Sequence, residues 1–351
     1  MCLPAEGYLN FSPGARAVKV KCMSLTTEMQ TPSMLDRAVR GRKAWRRDTL
    51  CRDNWFVPFP NSCLSEIAAV IDKLRVNPVP VIALDCDEYE LEACHRFMKR
   101  VRAGLAKGVG FAIVDKLPVD RYSKEELTSI YWLLSKMIAR PVAQSFDGTL
   151  LYDVHDTGKK IAPRTRGDKT NQKLAWHTDY GFNYPPPFFG LMMLRSGKTG
   201  GESAVVSLGH VHNEMRRHYP GQLARLYKPF YWNRQGEHPP GDQITSVNPI
   251  FRYDGDRLRA RVNFRLLQVG YQLKGELMDD EGVAALEALY TVMDDPANHF
   301  VYTLEAVQIQ YLNNWWCAHQ RLDYVDFEEP DKRRHLVRIF LRNEGLRSYM
   351  G

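Results

Sequence analysis

No stretch of about 18 or more apolar residues occurs in the chain, so no helical membrane span is expected. None of the seven cysteines (Cys2, Cys22, Cys51, Cys63, Cys86, Cys94, Cys317) forms a C-x-x-C pair, which removes the commonest zinc and redox motifs. No charged start, apolar stretch and small-residue cleavage site opens the sequence, so a reduced cytoplasmic setting is expected. G-x-S-x-G, Walker and G-x-G-x-x-G motifs are missing, and hydrolase, nucleotidase and Rossmann readings lack their anchor. Internal repeats and low-complexity tracts are also absent.

Charge of one sign is scarce too, once it is located. Of the net +7 over 351 residues, residues 1–50 carry +5, from nine Lys/Arg against four acids. The other 301 residues hold only +2. A phosphate-binding surface would have to sit on the amino-terminal arm, so no nucleic-acid partner is expected of the core. Residues 1–47 show no clear apolar periodicity and read as a loosely ordered basic arm, dispensable for chemistry. Residues 48–351 read as one catalytic domain.

Within that domain, apolar spacing predicts helices from about Leu64, over Leu91–Leu105, over Lys124–Ala139 and over Glu281–Met293. Short strands are predicted at Val79–Leu84 and Phe111–Val114. Further strands are predicted at Leu150–Val154, Phe188–Leu194, Ser203–Ser207, Pro249–Arg252 and Arg259–Phe264, and finally at Phe300–Leu304, Ala306–Leu312 and His335–Leu341. Short strands separated by Gly, Pro, Asn and Asp suggest a sandwich or barrel. His210-x-His212 reads as a same-face pair on a strand, with metal binding the minority reading.

The chemistry concentrates in Trp176-His-Thr-Asp-Tyr-Gly-Phe-Asn-Tyr-Pro-Pro-Pro187. On an extended chain His177 and Asp179 share a face. With a second imidazole from a neighbouring strand, they would give two nitrogens and one carboxylate on one side of a metal, the donor set of non-haem Fe(II) oxygenases. Asn313-Asn-Trp-Trp-Cys-Ala-His319 supplies such an imidazole. Alone, His-x-Asp is a common pair with no function.

Its surroundings are more specific. Trp-His-Thr-Asp, a following Phe, a Pro-Pro pair, Gly200-Gly-Glu-Ser203 placed 26 residues after His177, Asn313-Asn314, His319 and Arg333-Arg-His-Leu-Val-Arg338 come in that order. Together they resemble the taurine dioxygenase-like (TauD/TfdA, clavaminate synthase-like) family of Fe(II)/2-oxoglutarate dioxygenases. The resemblance implies a distorted double-stranded β-helix (jelly roll) with flanking helices, an α+β, mainly β fold. It implies His177, Asp179 and His319 as iron ligands, with 2-oxoglutarate and O2 as cosubstrates. Arg334, with Arg333 as close rival, would bind the far carboxylate of 2-oxoglutarate, supported by Ser203 where the family has Thr. Arg338 would face an anionic group of a small-molecule substrate, or else pair with an acid such as Asp323 or Asp326. Tyr180 and Phe182 would line the pocket mouth.

The implied reaction is oxidation of an unactivated C–H bond, above all hydroxylation, with release of succinate and CO2. The carboxylate at Asp179 disfavours halogenation. A metal-binding or sensing module without turnover, and a zinc hydrolase using the same triad, are the alternatives. Desaturation, epoxidation, ring closure and oligomeric state are not legible in the sequence.

Overall fold

The computed structural model describes residues 33–118, 121–158 and 167–346. Two sheets face each other. The major sheet runs, edge to edge, 56–57, 111–114, 309–313, 188–195, 335–341 and 141–142, with 151–154 also paired to 335–341. Apart from the parallel 56–57/111–114 pair, its ladders are antiparallel. The minor sheet runs 299–302, 203–207, 317–321 and 174–177. This is the jelly-roll core that the family resemblance implies.

Side-chain alternation sets the layers. On His335–Leu341, Leu336 and Phe340 point into the inter-sheet core, whereas Val337, Ile339 and Leu341 join the second core. That second core lies beneath α1 (Asn61–Val76), α2 (Glu92–Lys107) and α3 (Lys124–Ile138). Gly190 permits this close approach: a Cβ there would stand 2.6 Å from Tyr131 Oη and 2.8 Å from Tyr311 Cε1. Arg338 shares the inward face of its strand with Leu336 and Phe340, the face expected from the period of two.

Strands predicted at Phe111–Val114, Ser203–Ser207 and His335–Leu341 stand at those bounds. Other expectations change. Val79–Leu84 is no strand: Pro78 and Pro80 offer no ladder N–H, and only a single 3-10 turn, Val81–Ala83, forms. His210 and His212 lie on helix α4 (Leu208–His218), capped by Ser207 accepting from His210 N–H. At helical spacing the two rings diverge, one to Asn298 and the other to the Tyr227 hydroxyl, both at 2.9 Å. Two further helices, α5 (Pro220–Leu226) and α6 (Phe264–Lys274), also stand in the region read as strands. The strand expected over Arg259–Phe264 shrinks to Leu258–Ala260, since Asn263 caps α6 through the Leu266 N–H. Helix α7 (Asp280–Asp294) matches its prediction.

The expected arm is anchored where it is described; residues 1–32 lie outside the described residues. Leu35 and Trp45 are buried, and the Trp45 indole N–H donates to Val109 O at 2.8 Å. Val39 exchanges two hydrogen bonds with the Asn213 side chain. A boundary at 47/48 would therefore cut through a packed segment. Replacing Trp45 with Ala should cost about 3–5 kcal/mol of stability, as for other buried aromatic truncations. Denaturant unfolding checks this, and an unchanged midpoint would show the segment contributes nothing.

Candidate active site

The strand Leu174–His177 ends where the chemistry begins. It pairs with Cys317–Arg321 so that His319 faces His177 directly across the ladder. The ring centroids stand 4.0 Å apart. After His177 the chain turns: Thr178 N–H donates to Val262 O at 2.8 Å, and Val262 N–H donates back to Thr178 Oγ1 at 3.0 Å. Tyr180 adopts φ 62°, a left-handed conformation that a bulky residue rarely takes without support.

Asn314 supplies much of that support. Its Oδ1 accepts the Asp179 N–H at 2.8 Å, and its Nδ2 donates to Asp179 O at 2.8 Å and Pro186 O at 3.1 Å. The side chain is fully buried. Asp179 Oδ1 thereby comes within 3.6 Å of His177 Nε2. Donor atoms of His177, Asp179 and His319 all lie within 4.8 Å of one another, and the three residues are buried. Among the described residues this is the one such cluster of histidine, cysteine and acid donors.

The protonation states suit a cation. Because a carbonyl can only accept, the 2.9 Å contact between His177 Nδ1 and Ala175 O puts the proton on Nδ1. Nε2, on the side of Asp179, keeps its lone pair, the arrangement by which outer partners orient metal-binding imidazoles. Burial lowers the His177 pKa despite the pull of Asp179. Burial, then His177 and Arg338, push His319 far below the ordinary imidazole range. His319 Nδ1 is buried with no hydrogen-bond partner. Two neutral imidazoles and a carboxylate, one of the imidazoles incompletely bonded, fit Fe(II) well.

The arginines divide clearly. Arg333 is exposed and donates to the carbonyls of Phe327 and Glu328. Arg334 is 4% exposed, and no acid among the described residues reaches its guanidinium within 4 Å. Burial, then the charge of Arg321, lowers its pKa to about 10. Ser203 opens its strand opposite Arg321 on one side and Tyr302 on the other.

Arg338 does not pair with Asp323 or Asp326. Its Nη1 lies 3.4 Å from both Asp168 Oδ2 and Asp179 Oδ2, and its Nε donates to Gln144 Oε1 at 2.9 Å. Those two carboxylates were the nearer acids in space, although Asp168 gave no signal in the sequence. A cleft at this point is lined by His177, Asp179, Asp168, Arg338, Tyr180 and Phe182. Five of those six were expected; Asp168, like Gln144 beside it, was not.

The comparisons with known proteins agree with this geometry. The family described as "Taurine catabolism dioxygenase TauD, TfdA family" matches residues 88–340, and the chain belongs to it. The protein is a non-haem iron dioxygenase that uses 2-oxoglutarate and O2, which sets aside the zinc-hydrolase and inactive-module alternatives. The chain is 26% identical over 322 residues to FR-33289 synthase of Streptomyces rubellomurinus, covering 90% of this chain and 94% of that protein. Solved structures share the fold. Asparagine oxygenase with Fe(II), 2S,3S-3-hydroxyasparagine and succinate superposes with a TM-score of 0.61 at 16% identity, over 84% of this chain and 94% of the other. The non-haem iron oxygenase OrfP with Fe and alpha-ketoglutaric acid gives 0.61 at 16%, over 82% and 94%.

The Asn314 clamp generates a prediction. Asn314→Ala removes three hydrogen bonds while leaving His177, Asp179 and His319 in place. Fe(II) affinity should fall about 10–100-fold, the range for outer-shell partners. Equilibrium dialysis checks this; unaltered affinity would mean the turn holds Asp179 without Asn314.

Proposed function

We propose that His177, Asp179 and His319 hold Fe(II), that Arg334 and Ser203 receive the far carboxylate of 2-oxoglutarate, and that the substrate is a small carboxylate-bearing molecule held at Arg338. The observation that carries this reading is the buried triad, with its pair of facing imidazoles and an adjacent carboxylate. Bound iron with 2-oxoglutarate and O2 supplies the oxidising power for C–H hydroxylation, with succinate and CO2 as coproducts.

The chain's own residues do the rest. Asn314 and Thr178 fix the turn that aims Asp179. Arg334 supplies a planar fork suited to a carboxylate, and burial strengthens that attraction. Tyr180 and Phe182, tilted against each other with ring centroids 4.8 Å apart, form an apolar wall of the cleft, and Phe340 stands 5.7 Å from Tyr180. Such a wall limits water around the substrate.

Arg338 Nη2 makes no hydrogen bond to the described residues, and Asp179 is claimed by the metal in this reading. The guanidinium therefore keeps its Nη2 N–H groups for a substrate anion, while the Tyr152 and Phe340 rings lie 4.9 and 4.8 Å from its carbon. Asp168 Oδ1 is buried without a partner and lines the same cleft, so it can accept from a substrate N–H. Asparagine oxygenase was captured with hydroxyasparagine, and OrfP with (3S)-hydroxy-L-Arg, both of which carry a carboxylate and an amino group. Those ligands support the choice of substrate class.

Substrate-dependent succinate formation across a panel of small carboxylates, with and without amino groups, identifies the class. Asp179→Ala should abolish turnover with the fold intact; full activity in that variant would sink the triad. Arg338→Ala should raise the substrate KM by about 30-fold or more, the effect of removing one partner of a buried charged pair. Its 2-oxoglutarate affinity should stay near normal. If it loses stability with no change in substrate KM, Arg338 serves only its pairs with Asp168 and Asp179. Loss of 2-oxoglutarate binding in Arg333→Ala but not in Arg334→Ala would move the cosubstrate seat by one residue.

A further inference from the structure

Beside Arg334 lies a buried hydroxyl that the reading above leaves unused. Tyr324 sits on the short strand Tyr324–Val325, antiparallel to Thr199–Gly200. Lys198 N–H donates to Val325 O and Gly201 N–H to Asp323 O, both at 2.9 Å, and these bonds hold the tyrosine against the Gly200-Gly201 turn. A Cβ on Gly201 would come within 3.3 Å of Tyr324 Cβ and 3.4 Å of Arg334 Nε. With φ at +78°, this glycine lets the turn close over both side chains.

The Tyr324 ring is contacted by two buried guanidiniums. Arg321 lies 4.8 Å and Arg334 5.0 Å from its centroid. The phenol oxygen is buried and completes no hydrogen bond, yet lies close enough to Arg334 to interact with it. Arg321 spends N–H groups on Leu322 O and Gln172 O, and no described acid lies within 4 Å of it. Asp326 accepts the Arg334 backbone N–H at 2.7 Å and tempers the positive charge from farther off.

Two buried cations around one ring, beside a buried unbonded hydroxyl, are unfavourable as they stand. One carboxylate relieves both defects: it balances the charge and accepts from the phenol. A cation, by contrast, would meet repulsion from both arginines.

We propose that Tyr324 Oη is a second donor to the far carboxylate of 2-oxoglutarate, beside Arg334, and that Arg321 is a positioning residue that holds the tyrosine ring in place. This rests on the reading that Arg334 receives that carboxylate. The phenol and the Arg334 guanidinium are the direct contacts; Arg321 acts through the ring.

The test is anaerobic calorimetric titration of 2-oxoglutarate into the Fe(II)-loaded full chain, with thermal unfolding run in parallel. Tyr324→Phe should bind 2-oxoglutarate roughly 10–100-fold more weakly, as befits a lost hydrogen bond to a charged acceptor. Its iron stoichiometry should be unchanged, since Tyr324 is not one of the three residues whose donor atoms cluster. The rise in Tm that 2-oxoglutarate produces should shrink in parallel, because that rise tracks affinity. Arg321→Met should weaken 2-oxoglutarate binding by roughly 3–10-fold and leave the substrate KM alone, while Arg321→Lys restores part of the loss. Arg334→Met separates the two levels of the argument. If it binds 2-oxoglutarate normally, the cosubstrate seat lies elsewhere and both readings fall. If it loses binding while Tyr324→Phe stays within twofold of the parent, only the role of Tyr324 is overturned. A Tyr324→Phe variant that unfolds at a markedly lower temperature without ligand would also overturn it, because the hydroxyl would then be structural.

Discussion

The rest of the site depends on the register between Leu174–His177 and Cys317–Arg321. His319 and His177 are direct partners on that antiparallel ladder. A slip of one residue would send the His319 ring to the opposite face, since side chains alternate. On its other edge the strand Cys317–Arg321 pairs with Ser203–Ser207, which places Arg321 opposite Ser203. One strand therefore carries an imidazole of the buried triad on its first ladder and sets Arg321 beside Ser203 through its second. Asn314, three residues before that strand begins at Cys317, ties the register to the turn at Asp179 through side-chain bonds to the Asp179 N–H and carbonyl.

A second constraint is electrostatic. Arg321, Arg334 and Arg338 are buried on the inner side of this small region. Only Arg338 meets carboxylates of the described residues within 4 Å, namely Asp168 and Asp179. The interior is consequently prepared for anions, although the chain outside its first fifty residues is nearly neutral. A dianionic cosubstrate fits such a field, since its charge offsets the repulsion among these arginines. The neutral state of both histidines belongs to the same pattern, since burial and nearby cations oppose their protonation.

Much of this was legible in the sequence. Strand period places Arg338 on the inward face, and the ordered blocks from Trp176 to Arg338 mark the triad. What remained hidden has physical causes. Asp168 and Gln144 reach Arg338 through tertiary packing and belong to no motif. Tyr324 was one aromatic among many, and only its burial between two guanidiniums singles it out. Helices α4 and α6 begin at caps supplied by Ser207 and Asn263, single polar residues inside stretches whose glycines and prolines suggested turns. The basic arm misled in another way: Trp45 and Leu35 are isolated apolar residues without periodicity, yet each finds a buried place.

The central claim is that two imidazoles and one carboxylate, brought together by that strand register, form the iron centre. X-ray absorption of the anaerobic Fe(II)-loaded protein tests it most directly. The account predicts one iron per chain with two imidazole ligands, falling to one imidazole in both His177→Ala and His319→Ala wherever iron is retained. Iron bound at full affinity with both imidazoles in either variant would contradict it.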